Sequence, residues 1–153
     1  MDRRVAVVLA GCALAVSGVG SVSATGPTGI AAGSFTYHPF GRPAIRSGSI
    51  AAIGSQPVRG MWSWQDRHGP ITCLVIAGAD AWLAGPGTTG PDTGVFIHVH
   101  DGGIAGGADD MATAFGQDPG QPLDELIGWC TARSTEPPLF PVEHGDVTVK
   151  AIP

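Results

Sequence analysis

The sequence predicts an all-β fold, a small antiparallel barrel or sandwich of about seven short strands with one disulfide. Three observations carry that expectation. Glycine and proline are dense throughout, at 24 and 13 of 153 residues. Apolar residues alternate over short runs bounded by turn residues, and long helical periodicity is absent. Two cysteines, Cys73 and Cys130, remain once an N-terminal leader is set aside, and an even pair in an oxidising compartment reads as one disulfide.

The leader is residues 1–24, MDRRVAVVLAGCALAVSGVGSVSA. Arg3 and Arg4 make a basic start, Val5 to Val19 an apolar run, and Val22-Ser23-Ala24 a small-residue cleavage site after Ala24. The run is broken by glycines and short for a bilayer span. The expectation is a secreted or extracytoplasmic protein with no transmembrane segment in the mature chain. LAGC, Leu9 to Cys12, offers a second reading, a lipoprotein anchored at Cys12. Its apolar core, Val5 to Ala10, is shorter than the roughly 7–15 residues export signals use.

Cleavage would remove Asp2, Arg3 and Arg4, leaving 12 acidic and 6 basic residues and a net charge of −6. Six scattered cations supply too few phosphate contacts for nucleic acid, and no basic patch addresses anionic lipid. The partner expected is an extracellular or cell-envelope one of unknown kind. The mature length suits one small domain.

Residues 25–47 read as an extended N-terminal arm whose aromatics, Phe35, Tyr37 and Phe40, pack onto a domain spanning 48–153. Ser49 to Ile53 is the first expected strand, and GSQP turns the chain. Val58 to Asp66 follows, its period of two placing Trp62 and Trp64 on the buried face. RHGP, residues 67–70, reads as a turn. Ile71 to Ala77 is almost continuously apolar, the pattern of a central strand. A short hairpin loop at Gly78-Ala79-Asp80 returns the chain through Ala81 to Ala84. Gly85 to Gly94 reads as an exposed loop, and Val95 to Asp101 as a strand.

A flexible insert is expected at 102–122, with one or two helical turns near 109–117 capped by Asp109. Leu123 to Cys130 is ambiguous. Pro122 suits the start of a helix, whereas Ile127-Gly128-Trp129 suits a strand. Gly145 to Ile152 closes the domain as a strand, with Val147 and Val149 on one face.

The stretches GPITCLVIAGADAWLAG, VHDGG, LIGWC and FPVEHGDVTVKAI occur in that order. Together they resemble an uncharacterised family of small exported all-β domain proteins of actinobacteria and related bacteria. Its pattern is a V-T-C-L hairpin, a V-x-D-x-G strand end, an I-G-W segment and a closing G-x-[IV]-T-V strand. The resemblance covers about residues 55 to 152 and implies architecture and export without implying chemistry. It places Asp101 at the recurring aspartate, and Cys73 and Cys130 at the paired cysteines. The acidic, glycine-rich insert at 103–122 departs from the pattern, and His98 and His100 lie outside it.

Those two histidines are the candidate metal ligands. On a strand, His98 and His100 share a face with Cα atoms about 6.7 Å apart, a spacing that serves zinc or copper. A third ligand is missing, and His38, His68, His144, Asp109 and Asp110 are the residues that could supply it. The competing reading is structural. Val95, Ile97 and Val99 face the core, and Phe96, His98 and His100 form the wetter face of an antiparallel sheet.

The acidic insert lacks the alternating ligand order of a calcium loop. No G-x-S-x-G elbow is present, Ser63 and Ser134 have no evident partner, and no carboxylate pair stands out. The four tryptophans, Trp62, Trp64, Trp82 and Trp129, read as core, with a sugar-binding platform as the alternative. The favoured function is therefore non-catalytic extracellular binding, with no catalytic residue and no cofactor. The alternative is a metal-binding protein or metal-dependent enzyme using His98 and His100.

Overall fold

A computed structural model describes residues 29–39, 43–54, 57–104 and 109–152. The expected leader, Ala24, Cys12 and Phe40 lie outside these residues. Among them run β1 (Gly29–Tyr37), β2 (Arg46–Ile53), β3 (Arg59–Trp64), β4 (Arg67–Pro70), β5 (Cys73–Ala77), β6 (Asp80–Gly85), β7 (Val95–His100), β8 (Met111–Gly116), α1 (Leu123–Thr131), β9 (Phe140–Pro141) and β10 (His144–Ala151).

The strands form two five-stranded antiparallel sheets, ordered β10-β1-β2-β3-β4 and β5-β6-β7-β8-β9. One continuous core lies between them. Ala31, Phe35, Ile50, Ala52 and Trp62 from the first sheet meet Leu74, Ile76, Leu83, Ile97, Val99 and Ala114 from the second. Two open sheets facing each other over a shared core make a sandwich. The all-β class and the single disulfide are as the sequence predicts.

A smaller core lies on the outer face of the second sheet. There α1 packs Leu126 and Cys130, four residues apart on one helix face, against Cys73, Val75, Trp82, Ala84 and Phe96. Asp124 and Glu125 occupy the first turn, where the helix dipole favours carboxylates. Cys130 bonds to Cys73 and ties the helix to β5. The ambiguity at 123–130 thus resolves as a helix: Leu126 and Cys130 are buried while Gly128 between them is exposed, a spacing of four rather than a strand's period of two.

Four expectations are corrected. The described part of the stretch 25–47 is no appended arm. Its residues 29–37 form β1, paired to β10 on one side and β2 on the other. Ala31, Phe35 and Tyr37 alternate into the core, and the intervening glycines and alanines hide that period in the sequence. RHGP is the strand β4, paired with β3 in register Trp64↔Arg67. The turn lies just before it, where Gln65 adopts φ 58°. Gly69 lets the chain pass Pro86: a Cβ there would lie 1.9 Å from the Pro86 carbonyl oxygen.

The insert at 102–122 holds no helical turns over its described residues. It carries β8, which pairs with β7 along Val95↔Gly116 to His100↔Met111. Ala112 and Ala114 point inward, and their small side chains kept the strand from declaring itself. Finally, Ile71 to Ala77 is not central. β5 is the edge of its sheet, and its run is apolar because α1 covers one face while the first sheet covers the other.

Candidate functional site

β7 carries the histidine pair, and its register explains their setting. Val95, Ile97 and Val99 face the inter-sheet core as expected. The opposite face is not the wet one. Phe96 is fully buried beneath α1, and His98 is 4% exposed. The expectation of a wetter face fails because it counted strands and overlooked the helix that roofs them.

His98 stacks on Trp82 across the β6–β7 ladder, with ring centroids 4.6 Å apart. Its Nε2 lies 3.0 Å from Asp80 Oδ1. The half-buried His100 sets Nδ1 3.2 Å from the same oxygen. A carboxylate only accepts, so both nitrogens carry the proton in these contacts. Nδ1 of His98 is then bare, buried and without a hydrogen-bond partner. Burial lowers the His98 pKa, opposed by the hydrogen bond and charge of Asp80 and assisted by His100.

The partner to both rings is thus Asp80, a residue outside the sequence candidates. Its place was legible only through the β6–β7 register, which sets Asp80 opposite His100. Among the described residues, no group of three or more His, Cys, Asp or Glu side chains could hold a metal ion. His38, proposed as a third ligand, pairs instead with Glu143 at 2.6 Å.

Asp101 and Asp110 do structural work. Asp101 accepts from Gly103 N at 2.7 Å and Val149 N at 2.9 Å. Asp110 accepts from Gly102 N at 2.9 Å and Val147 N at 2.6 Å. Val147 and Val149 belong to β10, the open edge of the first sheet. The two carboxylates therefore occupy edge donors that would otherwise invite another strand, and they bind that edge to the end of β7 and the start of β8. Asp101, just past the end of β7, is a clamp.

Neither serine reading gains a nucleophile. Ser63 Oγ lies 2.8 Å from Ser49 Oγ on the bare face of the first sheet, and Ser134 closes a turn with Glu136. Of the tryptophans, Trp62 and Trp82 are core, bonded through Nε1 to the carbonyls of Pro70 and Ser134. Trp129 packs its ring on Phe96 and Phe115. Trp64 differs. It is half-buried, and its buried indole N–H makes only a weak contact with the Tyr37 hydroxyl, short of a full hydrogen bond among the described residues.

Trp64 lines a cleft of about 460 Å³ at one end of the sandwich. The first sheet contributes Tyr37, Arg46, Trp64 and Arg67, and the second contributes Thr113 to Gly116 and Phe140. Tyr37 forms a fixed wall. Its hydroxyl donates to Ala114 O at 3.2 Å and accepts from Ala114 N at 2.9 Å, and its ring stacks on Phe140 at 5.6 Å. Burial pushes the Tyr37 phenol up, against hydrogen bonding to Ala114, Thr113 and Trp64 and the charge of Arg46.

Arg46 lies over the Trp64 ring, 5.7 Å from its centroid. A Cβ on Gly116 would come within 2.8 Å of the Trp64 ring and 3.0 Å of Arg67 Nη1, so glycine leaves the space these two side chains fill. Gln117 closes one side with a committed amide: its Oε1 accepts from Gly94 N, and its Nε2 donates to Gln121 O. The cleft has no local signature in the sequence, because Tyr37, Arg46, Trp64 and Arg67 belong to four different strands.

No protein-family model matches this chain, and neither does any curated protein or solved structure.

Proposed function

We propose that this chain is an exported, non-catalytic extracellular domain that binds a small ligand in the cleft between its two sheets. One observation carries this function. A concave, largely apolar space of about 460 Å³ has rigid aromatic walls and a few convergent polar groups. That is the usual constitution of a small-molecule site, whose volumes run from about 300 to 1,000 Å³. Export is supported by the basic-then-apolar start of the sequence and by the disulfide, which suits an oxidising compartment. Binding without catalysis is supported by what the titratable groups do. Asp80, Asp101 and Asp110 each hold protein groups, and Ser63 and Ser134 bond to Ser49 and to the Glu136 backbone rather than to a base among the described residues.

A ligand-observed NMR screen of small polar and aromatic compounds tests the proposal. Hits are expected to perturb the Trp64 indole resonance and to vanish in Gly116→Leu, whose side chain would displace Trp64 and Arg67 from the cleft wall. Hits that leave Trp64 untouched and persist in Gly116→Leu would place binding elsewhere and sink the proposal.

A further inference from the structure

We infer that the cleft selects a small organic oxyanion, a carboxylate or phosphate ester borne on an apolar body. This inference rests on the cleft being a ligand site, as proposed above. The cations come first. Setting aside Arg3 and Arg4, an acidic chain carries six Lys and Arg residues, and two of them, Arg46 and Arg67, line this one cleft. Both are half-buried. The ion pairs among the described residues all involve histidine, so neither guanidinium is neutralised by a carboxylate there. Asp118 also lines the cleft but is exposed at its rim and makes no such pair.

Two half-buried cations that line one cleft, neither paired with a carboxylate among the described residues, favour an anion that joins them. Guanidinium forks match the geometry of carboxylate and phosphate oxygens. The apolar body follows from the walls, which include the rings of Trp64 and Phe115 and the prolines Pro39, Pro119 and Pro137. Cleft volume limits the ligand to a small molecule.

The experiment titrates benzoate, phenyl phosphate and neutral benzamide into the oxidised, ¹⁵N-labelled protein. The readout is the Trp64 indole cross-peak, assigned by its loss in Trp64→Phe. Benzoate and phenyl phosphate are expected to shift that peak saturably. Benzamide should bind about tenfold more weakly or worse, the loss of one charge-assisted contact. Arg46→Met and Arg67→Met should each weaken the two anions by about tenfold while leaving benzamide unchanged. Arg67→Lys, which keeps the charge but not the fork, should fall between. Thermal melts confirm that each variant is folded. Equal binding of benzamide and benzoate overturns the inference and leaves the cleft as a ligand site. Anion binding indifferent to both arginines overturns it too. If no compound moves the Trp64 peak, the ligand site itself falls.

Discussion

Removing the Asp110 carboxylate should be among the most damaging single changes available outside the apolar core. Asp110 is 2% exposed and accepts two backbone N–H groups, Val147 at 2.6 Å and Gly102 at 2.9 Å. Hydrogen bonds to a charged acceptor contribute about 1.5–3 kcal/mol each. In Asp110→Ala the two donors fare differently. Gly102 is half-buried and can turn to water. Val147 is 2% exposed, so its N–H is left without a partner at the edge of the core. The expected cost is about 3–5 kcal/mol, a large part of the stability of a domain this size.

Asp101→Ala removes the neighbouring clamp, but its donors, Gly103 and Val149, are exposed and half-buried. Water replaces the carboxylate there, and the expected cost is about 1–2 kcal/mol. Asp110→Asn keeps one acceptor and turns an amide N–H toward the second donor, so it should recover only part of the loss. Urea unfolding of the oxidised variants, followed by tryptophan fluorescence, measures all three. A cost below about 1 kcal/mol for Asp110→Ala, or a larger cost for Asp101→Ala, would refute the clamp and the energetic weight placed on the β10 edge.

Other expected outcomes follow from the same geometry. Replacing Cys73 and Cys130 together by serine releases a cross-link spanning 57 residues of sequence, which should cost about 4 kcal/mol on the loop-entropy account and is read by the shift in urea midpoint. His98 has its pKa lowered by burial, so between its folded and unfolded values the unfolded chain binds more protons. Its contribution is therefore complete above the unfolded value of about 6.5 and is lost as pH falls through the folded value. His98→Phe should flatten that part of the stability–pH curve, and an unchanged acid-side slope would contradict the buried, neutral imidazole. Zinc added to the folded protein should leave the melting temperature unmoved, because Asp80 holds both imidazoles. A zinc-dependent rise that disappears in His98→Ala would count against this.

Much of the fold was legible because several elements carry their own period. Trp62 and Trp64 alternate with Met61 and Ser63, and Val147 with Thr148, so β3 and β10 stand out locally. β1 and β8 were missed for a shared reason: their inward positions include Gly33, Ala112 and Ala114, small residues that fill a thin core opposite large ones such as Tyr37 and Trp62. Size complementarity across a core belongs to the partner strand and leaves little trace in the strand that supplies the small side chains. The histidine pair shows the converse. Its shared face was correctly read, but that face's burial depends on α1, which lies more than twenty residues away in sequence.

By itself the sequence determined the all-β class, the cysteine pair able to form one disulfide, the acidic net charge, and the alternation that turns each strand's apolar residues one way. These are properties of neighbouring residues, or of simple counts. Only the tertiary structure decided that Asp80 joins His98 to His100, that Asp101 and Asp110 bind the open edge of β10, and that Arg46, Arg67 and Trp64 share a cleft. Each of these arrangements unites residues from different strands. Their meeting is set by strand order and register, and those are fixed by the free energy of closing two sheets over one core rather than by any local pattern.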